Sequence, residues 1–179
     1  MDVLTKLYGL LCYGFSMVAL VAFILFANND MGLLGLNSLN IDTPNASPST
    51  VPWLINLALI LLFGLQHSVM ARPGFKAALV KVLPPSWERS TYGLATGIVL
   101  VVLVEYWQPM SGYLWSAESP ALRAALTTLY YLGWGITFIA TFMLNHFHLF
   151  GLQQTFRSND PDAGSKEFKT PFFYKLVRH

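Results

Sequence analysis

Between Arg123 and Arg157 the chain carries no Asp, Glu, Lys or Arg. A helix in a soluble fold needs a polar stripe to face water, and a run this long without charge offers none. It is the longest of four apolar runs; Leu7 to Ala27 and Val51 to Ala71 are likewise uncharged, and Ser90 to Trp107 carries Glu105 near its close. A helix rises ~1.5 Å per residue and a bilayer core is ~30 Å thick, so ~20 apolar residues suffice to cross it. The charges fit the same reading. Charged residues make up 11% of the 179 residues and apolar ones 54%, where soluble domains carry about 25% charged residues. The expected architecture is all-α, a polytopic transmembrane bundle of four spans over residues 1–152, with helices at about 7–27, 51–71, 90–107 and 125–150. Residues 153–179 are expected to form a polar cytoplasmic segment.

The joints between the runs set orientation. The 28–50 loop contains no Lys or Arg, and the 108–123 loop has only Arg123 at its edge. By contrast, Arg72, Lys76, Lys81 and Arg89 fall in the 72–89 loop, and Arg157, Lys166, Lys169, Lys175 and Arg178 in the tail. Basic residues stay on the cytoplasmic side, so both termini are expected there. The first run is longer than the ~7 to 15 residues of a cleaved signal peptide's apolar core, so it reads as a retained membrane helix. Pro73 and Gly74 stop the second helix, and Pro84-Pro85-Ser86 restarts the chain, with Ser86 as the expected N-cap. Gly93-x-x-x-Gly97 lets another helix approach closely. Trp107, Tyr113 and Trp115 read as an interfacial aromatic belt. The acceptor triplet Asn45-Ala46-Ser47 carries little weight. A net charge of +2 without a basic stripe points away from nucleic acid. Cys12 is the only cysteine, which rules out an intramolecular disulfide.

Polar groups at membrane depth are costly and mark candidate sites. Gln66-His67-Ser68 lies one turn from the cytoplasmic end of the second helix, where His67 either bonds to a loop carbonyl or serves as ligand, base or substrate contact. In Trp87-Glu88-Arg89-x-x-Tyr92, Glu88 either complements a helix N-terminus or acts chemically. Glu88 and Tyr92 share a helix face. At the end of the fourth run, helical spacing puts Thr137, Thr141, Asn145 and His148 on one face, and His146 with Phe142, Phe150 and Gln153 on another. His146 and His148 would then point to opposite sides and could not easily share a metal, and no metal is expected. Gly-x-Ser-x-Gly, Cys-x-x-Cys and phosphate-cradling glycine loops are absent.

Four stretches in order carry a resemblance: Gly64-Leu65-Gln66-His67-Ser68-Val69-Met70-Ala71-Arg72; Trp87-Glu88-Arg89-Ser90-Thr91-Tyr92; Asn145-His146-Phe147 with Leu149-Phe150-Gly151-Leu152; and Tyr174-Lys175-Leu176-Val177-Arg178-His179. Together they resemble the methanethiol S-methyltransferase family, bacterial integral membrane enzymes akin to isoprenylcysteine carboxyl methyltransferases and NnrU-like proteins. The resemblance implies methyl transfer from S-adenosylmethionine to a small volatile thiol such as methanethiol, giving dimethyl sulfide, in a bacterial inner membrane. It implies catalytic roles for His67, His146 and Glu88, and cofactor contacts from Arg178, His179, Tyr174 and Arg89. Gln66, Tyr92 and Asn145 are the implied substrate contacts. In the wider group the Arg-His pair is followed by Pro, a Tyr two residues on, Gly, further helices and a Glu-containing element. This chain stops at the pair, so residues 153–179 lead into an incomplete cofactor-binding element and the chain is expected to be a fragment. The NnrU-like and carotene-isomerase branch implies an alternative, a haem b protein with His67 as axial ligand and His146, His148 or His179 opposite.

Overall fold

A computed structural model describes residues 3–42, 51–110 and 115–157. The chain is helical, with no strand among the described residues. Three helices are long and apolar enough to cross a membrane, which makes this an integral membrane protein. They are α1 (Val3–Ala27), α2 (Pro52–Met70, the apolar stretch continuing to Ala71) and α5 (Pro120–Met143). Around them lie α3 (Pro73–Leu79), α4 (Glu88–Tyr106), α6 (His146–Leu149) and α7 (Leu152–Phe156).

The ends of these helices have local causes. Arg72 precedes a proline and is extended, with ψ 141°, so α2 cannot run on into α3. Pro52 and Pro120 open α2 and α5, where a missing N–H is harmless. Ser119 caps α5, its Oγ accepting from the Leu122 N–H at 3.1 Å. Ser86 does not cap α4 as expected. It lies inside a short 3-10 turn, Pro85–Trp87, and Trp87 takes the N-cap position without a side-chain bond.

The fourth run departs most from its expected form. It begins at Pro120 and stops at Met143, and Asn145 adopts the left-handed conformation with φ 70° and ψ 78°. Asn tolerates that region through local side-chain bonds, and here its Oδ1 accepts from the His148 N–H at 3.2 Å, starting α6. The chain turns again at Gly151, φ 85°, and α7 follows.

Helix α4 is central, packed against α1 on one flank and α2 on the other. The glycine pair does the job expected of it. A Cβ at Gly93 would lie 3.1 Å from Ser16 Oγ, and one at Gly97 would lie 3.1 Å from the Phe15 ring and 3.3 Å from the Ser16 Cα. The apolar core gathers toward the far end of the bundle, where Phe26, Met31, Leu59, Leu103 and Val104 are buried together. Trp107 packs against that core, edge-on to Phe26 at 5.9 Å. Trp115 is exposed, and Tyr113 lies outside the described residues. Asn56, inside α2 and 3% exposed, closes a pair of bonds with the Gln108 backbone: Nδ2 donates to the carbonyl at 2.7 Å and Oδ1 accepts from the N–H at 2.8 Å. Helix α5 buries no residue of its own. Tyr130 donates to the Ile24 carbonyl at 2.8 Å, and Tyr131 donates to the Asp30 carboxylate.

Candidate functional site at one end of the bundle

The start of α1, the end of α2, the start of α4 and the chain beyond α5 meet at one end, and most of the polar residues singled out from sequence lie there. They form two groups, one on each flank of α4.

On the α2 flank, Tyr92 reaches across to His67. Its hydroxyl is 2.9 Å from His67 Nδ1 and also 3.3 Å from the His67 carbonyl. The imidazole stacks on Phe63, with centroids 5.5 Å apart, and remains exposed. One residue before, Gln66 donates to Thr96 Oγ1 at 3.3 Å and to the Met70 sulfur at 3.1 Å, and its Oε1 is buried without a partner among the described residues. Three of the expected site residues, Gln66, His67 and Tyr92, are therefore neighbours. Glu88 turns to α3, where Lys76 lies 3.5 Å from its carboxylate.

On the α1 flank, Trp87 stacks on Tyr8 at 4.0 Å and donates to Thr5 Oγ1 at 3.2 Å. Tyr8 in turn meets Thr91 Oγ1 at 2.8 Å. Helix α7 tucks beneath α1 because Gly9 has no side chain: a Cβ there would collide with Thr155, which is fully buried. Arg89 Nη1 reaches the His148 carbonyl at 3.5 Å, a long contact. Gln154 donates to the same carbonyl at 3.0 Å and lies 3.1 Å from His148 Nδ1. Burial and then the Arg89 charge push the His148 imidazole below its ordinary pKa.

The expected Thr137–Thr141–Asn145–His148 face does not form, because the helix ends before Asn145. Thr137 bonds back to the Gly133 carbonyl at 2.9 Å, and Asn145 Nδ2 donates to Gln153 Oε1 at 2.8 Å. Thr141 instead meets His146, its Oγ1 lying 2.7 Å from Nδ1. His146 is 1% exposed and stacks flat on Phe142 at 4.2 Å, with Tyr13 Oη 2.8 Å from its Nε2. Both ring nitrogens are thus engaged. Burial pushes this imidazole, too, below its ordinary pKa. Tyr13 does not stand out in the sequence, where a tyrosine within an apolar run is unremarkable. A cleft of about 480 Å³ opens beside this group, lined by Asn145, Phe147, Leu152, Gln153, Phe156 and Arg157.

No cluster of three or more potential metal ligands occurs among the described residues. A haem iron would find no free nitrogen on His146. Tyr174, Arg178 and His179 lie outside the described residues.

No family model and no solved structure matches the chain. Curated relatives do. A methanethiol S-methyltransferase of Pseudomonas deceptionensis is 48% identical over 129 residues, covering 70% of this chain and 48% of the relative. Another from a Pseudomonas species is 40% identical over 178 residues, covering 97% of this chain and 65% of the relative. The one from Mycobacterium tuberculosis is 38% identical over 179 residues, covering 98% of this chain and 70% of the relative. The chain spans about half to 70% of the length of these relatives. Similarity that runs the length of the chain, through the His67, Arg89 and His146 segments alike, establishes that it belongs to the methanethiol S-methyltransferase family.

Proposed function

We propose that this chain supplies the membrane-embedded part of an S-adenosylmethionine-dependent enzyme that methylates a small thiol, methanethiol to dimethyl sulfide, at the cytoplasmic side of a bacterial inner membrane. In this reading α4 crosses as a fourth span, both termini face the cytoplasm, and residues 153–179 lead into the cofactor-binding element. The observation that carries the reading is the His67–Tyr92 pair at 2.9 Å, an exposed imidazole beside the buried, unpartnered Oε1 of Gln66. The names of the relatives support the chemistry.

A thiolate, not a thiol, is the nucleophile, so a proton must leave the thiol sulfur. His67 receives it. If Tyr92 donates to the His67 carbonyl, the Nδ1–H donates to the Tyr92 oxygen and Nε2 keeps its lone pair. Gln66 and Tyr92 orient the thiol. The residues at this end also fit parts of the donor. The aromatic faces of Phe147 and Phe156 suit a planar ring, and the Arg89 and Arg157 guanidiniums suit a carboxylate. When bound, the donor provides a methyl carbon on a sulfonium whose charge is lost as the new carbon–sulfur bond forms. Aromatic walls that exclude water favour such charge neutralisation. The apolar flanks of α2 and α4 let an uncharged thiol arrive from the lipid while the donor arrives from the cytoplasm.

The test is methyl transfer from labelled S-adenosylmethionine to methanethiol, in membranes holding this chain and, in parallel, the chain carrying its natural downstream sequence. Labelled dimethyl sulfide is expected from the longer form. Its absence from both would sink the assignment.

A further inference from the structure

His146 is held by a chain of hydrogen bonds whose proton directions can be worked out. Thr141 Oγ1 lies 2.6 Å from the Phe138 carbonyl three residues earlier, an oxygen that can only accept, so the hydroxyl proton goes there. Thr141 Oγ1 is then an acceptor for His146, and the proton between them sits on Nδ1. That leaves Nε2 with a lone pair, which takes the Tyr13 hydroxyl proton at 2.8 Å. Run this way, all three protons are used. In the reverse direction, the His146 N–H would point at Tyr13 and the Thr141 proton at Nδ1. The Tyr13 proton would then lose its partner in this chain, and the 2.6 Å contact between Thr141 Oγ1 and the Phe138 carbonyl would hold two oxygens together with no proton between them.

The surroundings reinforce the direction. Facing the ring are Tyr13 from α1, Phe138, Thr141 and Phe142 from α5, and Phe147 and Phe150 beyond the break. None of these carries a charge. An imidazolium would therefore be buried among aromatic rings with no counter-charge among these neighbours.

We propose that His146, held by Tyr13 and Thr141 as the neutral Nδ1–H tautomer, is a positioning residue that fixes the chain break after α5, and that it does not take up a proton during the reaction. Its neighbours in sequence, Asn145 and Phe147, both line the 480 Å³ cleft. The three-helix junction at Tyr13, Thr141 and His146 is thus what sets the cleft wall. The tautomer and its locking are properties of this chain and stand apart from the methyl-transfer reading. The positioning role rests on that reading.

The decisive measurement is ring-nitrogen NMR on the 179-residue chain in lipid, labelled with 15N-histidine and assigned through H67Q, H146N, H148Q and H179Q variants. We expect one imidazole to show the less common Nδ1–H signature and to stay neutral at acidic pH, where an ordinary solvent-exposed imidazole is protonated. T141V removes the acceptor while preserving shape, and should switch that imidazole to Nε2–H. T141S should leave it unchanged. An Nε2–H tautomer at position 146 in the wild type, or its protonation in the ordinary histidine range, would overturn the proposal. In the longer, active form, T141S should match wild type. T141V should raise KM for the methyl donor several-fold with little change in kcat or in the acidic limb of its pH profile. A shift of that limb instead would make His146 the proton acceptor and refute the positioning role. If the longer form has no activity, the methyl-transfer reading fails and the NMR result still decides the tautomer.

Discussion

Gly151 offers the sharpest test of how α7 closes the polar end. Its φ of 85° lies in a region that costs a residue with a side chain roughly 1–2 kcal/mol. A Cβ there would also run into the backbone N of Ser90 and come within 2.8 Å of the Arg89 carbonyl carbon. Those are main-chain atoms at the start of α4, held by the α1–α4 packing, so no flexible side chain can move aside. Forcing extra volume into such a contact costs about 1–3 kcal/mol. The two effects act together, and G151A should lose about 2–5 kcal/mol on these grounds. Gly14 is the internal control. It lies within α1, and a Cβ added there would meet nothing within 4 Å, so G14A should be neutral or stabilise by about 0.5–1 kcal/mol through helix propensity. Thermal unfolding of both variants in one detergent, read by intrinsic fluorescence, decides the matter. The expected result is a clear drop for G151A and none for G14A. Equal melting temperatures would mean that α7 does not close on the start of α4, and the placement of Arg89 beside His148 would fall with it.

Three further outcomes follow from the same geometry. N56A strands the Gln108 N–H and carbonyl; with hydrogen bonds in membranes worth ~0.6 and at most ~1.7 kcal/mol each, it should cost about 1–3 kcal/mol in detergent unfolding, and N56D, which sets an acceptor against that carbonyl, should do no better. His146 and His148 have folded pKa values pushed below their unfolded ones, so the unfolded chain binds more protons, and stability present above the ordinary histidine pKa should fall as pH drops through the folded values. R89Q removes the charge that helps to depress His148, so unfolding followed across that pH range should show a shallower loss in R89Q than in wild type. K76A should change stability by less than ~1 kcal/mol, since its ion pair with Glu88 is partly solvated.

The large features were legible because they follow from local rules. Apolar runs of bilayer length, the stop at Pro73 and Gly74, and the Gly93–Gly97 spacing each act within one or two turns of helix, and the described helices follow them. The break at Asn145 was not legible, because the apolar pattern continues through it and an uncharged run does not reveal a single left-handed residue. That break is why the face drawn through Thr141, Asn145 and His148 failed while the nearness of His146 to Phe142 survived. Ser86 was misplaced for a related reason: two prolines in front of it favour a 3-10 turn that carries the chain one residue past the obvious cap. The long-range polar pairings were out of reach altogether. Tyr13 meets His146 across 133 residues, and Asn56 meets Gln108 across 52. In each case the signal available was a polar group inside an apolar run, which marks a residue as needing a partner and says nothing of which.

The division of the polar end by α4 bears on how its parts can work together. Arg89 and Tyr92 are neighbours on one helix, yet Arg89 reaches α6 while Tyr92 reaches α2. Ser90, fully buried between them, is sealed by Gly151. The first turns of α4 therefore act as a rigid wall with one polar group on each side, and neither group can move without disturbing the close α1–α4 contact at Gly93 and Gly97. On the proposed reading, a thiol held by Gln66, His67 and Tyr92 and a donor held near Arg89 and the α6–α7 cleft would approach each other over the polar rim of α4, not through the bundle. Their alignment then depends on the angle of α4 against its neighbours. The tight glycine contacts, the Asn56–Gln108 clasp at the far end and the Lys76–Glu88 pair all fix that angle. On the proposed reading the polar clasps have a reason beyond stability: they would set the geometry between two half-sites that share a single helix.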